Sequence, residues 1–268
     1  MSTKMIMQTE TSEFMMSYII ITEKNNAVIV DGGRPEDIPL LKEAVGGRHI
    51  AAWFLTHPHI DHISAFNDIV ARDDKDFDFD KVYCHFPPSE HINAHQLGAD
   101  EPATIGDWEA IRPKLGDKVV EPQVGDKIRI DELEFEILYR WEKDFGFIRN
   151  VVNDSSLVFR MTTPNTTVLF MGDLGPEGGD KLLETQKGNL HAEYVQMAHH
   201  GHMCCGPDVY MDIDPRVCLW NAPDWLWAEP DCHINYRMWG QGMTRKWMER
   251  IGVTEHYITM NGTQTFEL

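Results

Sequence analysis

Thr56-His57-Pro58-His59-Ile60-Asp61-His62 is the stretch on which the reading of this chain depends. Before it runs Ile50-Ala51-Ala52-Trp53-Phe54-Leu55, an apolar run that predicts a buried strand. After it, Ile63-Ser64-Ala65-Phe66-Asn67-Asp68-Ile69-Val70 carries apolar residues at helical spacing. The seven residues therefore occupy a strand-to-helix turn, where side chains can converge. Their imidazoles and carboxylate are costly to desolvate without partners. A helix cap would account for Asp61 but for none of the histidines. Imidazole nitrogen and carboxylate oxygen are the ligands that zinc takes. His57 and His59 stand two apart, so on extended chain they point the same way and can grip one metal. Asp61 and His62 lie where the chain turns into the helix and would face a second.

Other strand ends offer similar chemistry. Ser17–Thr22 and Ala27–Val30 read as strands around the turn Glu23-Lys24-Asn25-Asn26, and the second ends in Asp31-Gly32-Gly33. Asn153–Met161 and Thr167–Met171 read as a hairpin that ends in Gly172-Asp173, where glycine allows close backbone approach. Tyr194–Ala198 reads as a strand ending in His199-His200-Gly201-His202.

The His-x-His-x-Asp-His pattern after a buried strand resembles the signature of the metallo-β-lactamase superfamily. The resemblance implies an α/β fold: a four-layer αββα sandwich of two mixed β-sheets flanked by helices, with metals at one edge. It implies Asp173 as a carboxylate bridging both metals, and one of His199 and His200 as a ligand of the second, the other being free to bond a substrate oxygen. It implies Asp31 as the partner that orients a histidine ligand, a role such ligands usually need filled. Asn153-x-x-Ser156-Leu157-Val158, Met171-Gly172-Asp173, Ala198-His199-His200-Gly201 and Thr259-x-x-Gly262 are similar to the ComEC-like branch, across most of residues 15–268. One departure matters. Most superfamily members carry a further histidine before the bridging aspartate; here Asn153, Asp154 and Ser156 stand at that place, a feature the ComEC-like branch shares. Oxygen ligands from Asn153 or Asp154 would favour a harder metal such as manganese. The expected cofactor is zinc, as two divalent ions, with manganese or iron as alternatives.

Elsewhere, Pro35–Val45 predicts a helix ended by Gly46-Gly47. Lys81–Phe86 predicts a strand, followed by helices near 89–97 and 104–112. His91 and His95 share a face of the first of these, without a spaced partner. Val124–Ile130 and Leu133–Leu138 alternate as a hairpin with one wet face. Trp141–Asn150 reads as an irregular loop and Glu177–Lys187 as a helix. The last third reads as strand 217–221, an aromatic loop 222–240, helix 241–250, and a closing hairpin, 256–260 with 263–267, turned by Asn261-Gly262. Trp220, Trp225, Trp227, Tyr236 and Trp239 crowd this stretch as core or as a pocket lining, and His233 in this loop is a candidate to reach the site.

Length fits a single domain over 1–268, with 1–14 as a loose N-terminal segment. No apolar stretch approaches a membrane span and no signal-peptide core stands at the start, so cytoplasmic residence is expected. Cys84, Cys204, Cys205, Cys218 and Cys232 form no disulfide framework, although Cys204 and Cys205 follow the histidine cluster. A net charge of −19, from 24 basic and 43 acidic residues, repels polyanions. The resemblance to the ComEC-like branch implies a metal-dependent hydrolase of a phosphoester or phosphodiester, and the acidic surface favours a small substrate. The alternatives are a carbonyl hydrolase acting on a lactone, β-lactam or thioester, and a metal-binding scaffold without catalysis.

Overall fold

The computed structural model describes residues 2–95, 104–147, 149–228 and 240–268. The first sheet holds β1 (Lys4–Met7), β2 (Ser17–Ile21), β3 (Ala27–Asp31), β4 (Ile50–Phe54), β5 (Phe79–Tyr83) and β6 (Val119–Val120). The second holds β7 (Lys127–Ile130), β8 (Leu133–Tyr139), β9 (Val158–Thr162), β10 (Thr167–Phe170), β11 (Tyr194–Gln196), β12 (Val217–Trp220) and β13 (Glu255–Ile258). The last strand, β14 (Gln264–Glu267), returns to the first sheet, whose order is β14-β1-β2-β3-β4-β5-β6. The second runs β13-β12-β11-β10-β9-β8-β7. Each sheet is antiparallel on one side and parallel on the other.

Period-two alternation sorts the strand residues into two cores. Tyr18, Ile20, Val28, Val30 and Phe54 face the second sheet's Phe135, Phe159, Val168, Phe170 and Leu219. The Phe54 ring lies 4.7 Å from Phe135 and 4.8 Å from Phe159. Ile19, Ile29 and Trp53 point outward beneath helical residues such as Leu41, Ile63 and Phe66. Helix, sheet, sheet and helix thus form the four layers of the expected sandwich.

The structure corrects four readings. Lys4–Met7 is not loose chain, because β1 pairs on both sides, with β14 and with β2. The predicted strand at 153–161 begins only at Val158; Val151–Asp154 is a helical turn capped by Asn150, whose side chain accepts from the Asn153 N–H. The strand predicted over Lys81–Phe86 is β5, which starts two residues earlier and ends three earlier. The closing hairpin does not exist: β13 pairs with β12 and β14 with β1, in different sheets. A helical turn at Thr259–Asn261 and Gly262, at φ 91°, carry the chain across. No helix among the described residues is long and apolar enough to cross a membrane.

Candidate metal centre

The strands that carry the centre all present their C-terminal ends to one edge of the sandwich, where open α/β sheets place ligands. β4 delivers Thr56, His57 and His59, and the helix Ile60–Arg72 starts with Asp61 and His62. β10 delivers Asp173, and β11 delivers His199 and His200. The Leu157 N–H donates to the Thr56 carbonyl at 2.8 Å and ties the two halves together.

Two buried clusters result. Asp61, His62, Asp173 and His200 bring one ligand atom each to within 4.8 Å of one another, and so do His57, His59 and Asp173. Asp173 belongs to both. His200 Nε2 lies 3.0 Å from Asp61 Oδ2 and 3.5 Å from Asp173 Oδ2. Its Nδ1 is 2.7 Å from the Asn221 carbonyl, which only an Nδ1–H can satisfy, so Nε2 offers a lone pair to the cluster. His62 is set likewise, its Nδ1 being 2.7 Å from Asp31 Oδ2. Asp31 also accepts from the Thr56 N–H and Oγ1–H, both at 2.7 Å. His62 Nε2 then faces Asp173 Oδ1 at 3.1 Å, and both atoms are buried without a hydrogen-bond partner among the described residues. Two lone pairs aimed at each other need a cation or a proton between them, so this donor set fits a metal.

The charges express the same demand. Burial works against ionisation of Asp173, yet His62, His200 and His57 prevail and hold its carboxyl well below the usual carboxylate range. Asp61 is held low against its burial by His62 and His200. Burial also opposes the charged form of His200, but Asp173 and Asp61 outweigh it and raise it to about 10. Burial and the neighbouring His62 push His57 well below its ordinary value, so it is the neutral imidazole that a metal requires.

Backbone geometry sharpens the site. Asp31, His199 and His200 take φ values of 54°, 49° and 53°, a region side chains rarely enter. Gly172 sits at φ 54°, and a Cβ there would stand 2.8 Å from Ser156 Oγ and 3.0 Å from Thr56 Cβ.

The family profile described as the Metallo-beta-lactamase superfamily matches residues 13–198. The chain belongs to that superfamily. No curated protein matches it in sequence. Among solved structures, the metallo-β-lactamase fold protein YhfI from Bacillus subtilis superposes with TM-score 0.57 at 12% identity, over 98% of this chain and 99% of its own. CmlA, a diiron β-hydroxylase from Streptomyces venezuelae, gives 0.57 at 13%, over 100% of this chain and 54% of CmlA. A diphosphatase of the PhnP family gives 0.51 at 11%, over 100% and 98%. At such identities the likeness is one of fold.

Within the metallo-β-lactamase frame the three residues standing for the further histidine separate. Asn153 Nδ2 lies 3.2 Å from His199 Nε2, at the edge of the centre. Ser156 Oγ accepts from the Asp173 N–H at 2.9 Å and fixes that residue. Asp154 turns away: Oδ1 accepts from the Gly178 N–H at 2.7 Å, at the start of the helix Pro176–Gln186. An Asp154 metal ligand is therefore set aside. His199 stands outside both clusters, with Nε2 4.0 Å from Asp173 Oδ2. His91 and His95 stack face to face at 4.1 Å, and neither they nor Cys204 and Cys205 join a ligand group among the described residues. Trp220 is core, packed on Trp227 at 5.4 Å. His233, Tyr236 and Trp239 lie outside the described residues. Sequence reasoning missed Phe14, Thr56 as an anchor for Asp31, the Asn221 carbonyl, and Gln241, whose Nε2–H donates to the His200 carbonyl at 2.7 Å. Of these only Thr56, next to the motif, carried a local signal.

Proposed function

We propose that this chain is a dinuclear metal-dependent hydrolase of a small phosphoester, a phosphodiester in the first place. The pair of buried clusters that share Asp173 carries the reading. His57 and His59 with Asp173 would hold one divalent ion, and Asp61, His62 and His200 with Asp173 the other. Bound there, the ions supply Lewis acidity and lower the pKa of water, which is what ester hydrolysis asks of a catalyst. The chain's residues prepare for this. Asp31 and the Asn221 carbonyl hold His62 and His200 in the tautomer that leaves Nε2 free. His199, beside Asn153 and outside the clusters, would hydrogen-bond a substrate oxygen and steady developing charge.

Zinc is the first ion to test, and the diiron CmlA supports testing iron beside manganese. The order of the Asn153, Asp173, His199-His200 and Thr259 motifs supports the ComEC-like branch. The charge of −19 supports a small substrate over long nucleic acid. Cys84, Cys204, Cys205 and Cys218 stand in no disulfide, which supports a reducing, cytoplasmic setting.

Elemental analysis of gently purified protein, combined with a screen of phosphodiesters, lactones, β-lactams and thioesters, tests the proposal. Close to two metals per chain are expected, with phosphodiester turnover that Asp61→Ala and Asp173→Ala abolish while far-UV circular dichroism stays unchanged. Full activity in both variants, or turnover confined to carbonyl substrates, overturns it.

A further inference from the structure

The segment before β2 is tied down along its length. The Gln8 N–H donates to the Ser17 carbonyl at 3.1 Å. Thr11 donates from N–H and Oγ1–H to Asp37 Oδ1 at 2.9 and 2.7 Å. The Met16 N–H donates to the Asp61 carbonyl at 3.1 Å. These bonds hold Phe14 over the centre. Its ring centroid lies 4.7 Å from His200, 5.6 Å from Trp225 and 6.3 Å from His202. The Arg34 Nε–H donates to the Phe14 carbonyl at 3.4 Å and braces the segment from its other side.

Asp61, His62, Asp173 and His200 are all buried, whereas Phe14 and Trp225 are half-buried. Phe14, delivered by the N-terminal segment, thus lies against His200 in the Asp61–His200 half of the centre, and Trp225, on the short helix Asp224–Ala228, lies against Phe14. A substituent on that side of a bound ester meets apolar ring surface. A planar apolar ring there gains contact area and aromatic geometry, on a Phe14 ring whose centroid also lies 5.9 Å from the Arg34 guanidinium.

From this geometry we infer that Phe14 and Trp225 form a subsite for an aromatic substituent of the substrate, so that the preferred esters are aryl esters rather than small alkyl ones. The inference rests on the phosphoester reading for the anion seated at the metals. It is tested on the metal-loaded protein with two phosphonates that are not hydrolysed, phenylphosphonate and methylphosphonate, by titration calorimetry. Phenylphosphonate should bind about tenfold more tightly. Phe14→Ala should bring the ratio towards one, and so should Trp225→Leu, which serves if the first variant folds poorly. Elemental analysis checks that each variant keeps its metals. Equal affinities in the unmodified protein, or a ratio unmoved in both variants, overturn the subsite and leave the phosphoester reading standing. Binding of neither phosphonate overturns both.

Discussion

His199 and His200 are neighbours in different surroundings, His200 inside a buried His/Asp cluster and His199 beside Asn153 outside it, and the proposed function gives them different tasks. Left-handed backbone costs a non-glycine residue on the order of 1–3 kcal/mol. It is held here by the His199 N–H donating to the Gly172 carbonyl at 3.1 Å and by Gln241 on the His200 carbonyl. His200→Ala should therefore lower the metal content measured by elemental analysis, whereas His199→Ala should keep the metals and lose turnover. Equal metal loss in both would refute the division. Asp154 supplies a pH handle. Burial, only partly offset by the Gly178 N–H, raises its pKa to about 7. The folded state thus binds a proton more tightly than the unfolded chain. That contribution to stability is complete below the unfolded value near 3.8 and is lost as pH rises through about 7. Asp154→Asn keeps an acceptor for Gly178, so it should gain stability over the parent between these limits, by about 1.4 kcal/mol per pH unit at most. Chemical denaturation of both proteins at pH 5 and 8 measures this, and an offset that does not change with pH would rule it out. The motif residues were legible because they are contiguous. Phe14, Asn221 and Gln241 were not, since their partners lie far away in sequence.

At the scale of elements, the seams between strands proved harder to read than the strands. β2, β3, β4, β8 and β12 fall where apolar runs or alternation place them, because burial on both faces imposes a run and burial on one imposes alternation. The closing hairpin failed because Asn261-Gly262 is good turn chemistry in either arrangement, and only the partner strand decides which sheet receives β14. β1 was overlooked because Lys4-Met5-Ile6-Met7 is short and its mate β14 lies at the other end of the chain. Met5 and Met7 are nevertheless fully buried between the sheets. Met5→Ala should cost about 2–5 kcal/mol by denaturant unfolding, far more than an unstructured N-terminus would allow.

For the whole molecule, the centre is a joint between the two sheets, with the His57–His62 segment contributed by one and Asp173 and His200 by the other. Metal bound across that joint should stabilise the fold by mass action, roughly 2.7 kcal/mol when free metal stands at a hundred times its Kd. A chelator should accordingly lower the thermal unfolding midpoint, and Asp173→Ala should abolish most of the effect. The sequence by itself determined the superfamily signature, the layered α/β class and the contiguous His57–His62 part of the buried clusters, because local spacing and strand-end position are enough to converge side chains from one turn. Only the tertiary structure decided that His200 rather than His199 joins the cluster, that Asp154 faces a helix start, that β13 and β14 part into different sheets, and that Phe14 stands over the centre. Each of these depends on contacts between segments far apart in the chain, which become neighbours only when the two sheets close on each other.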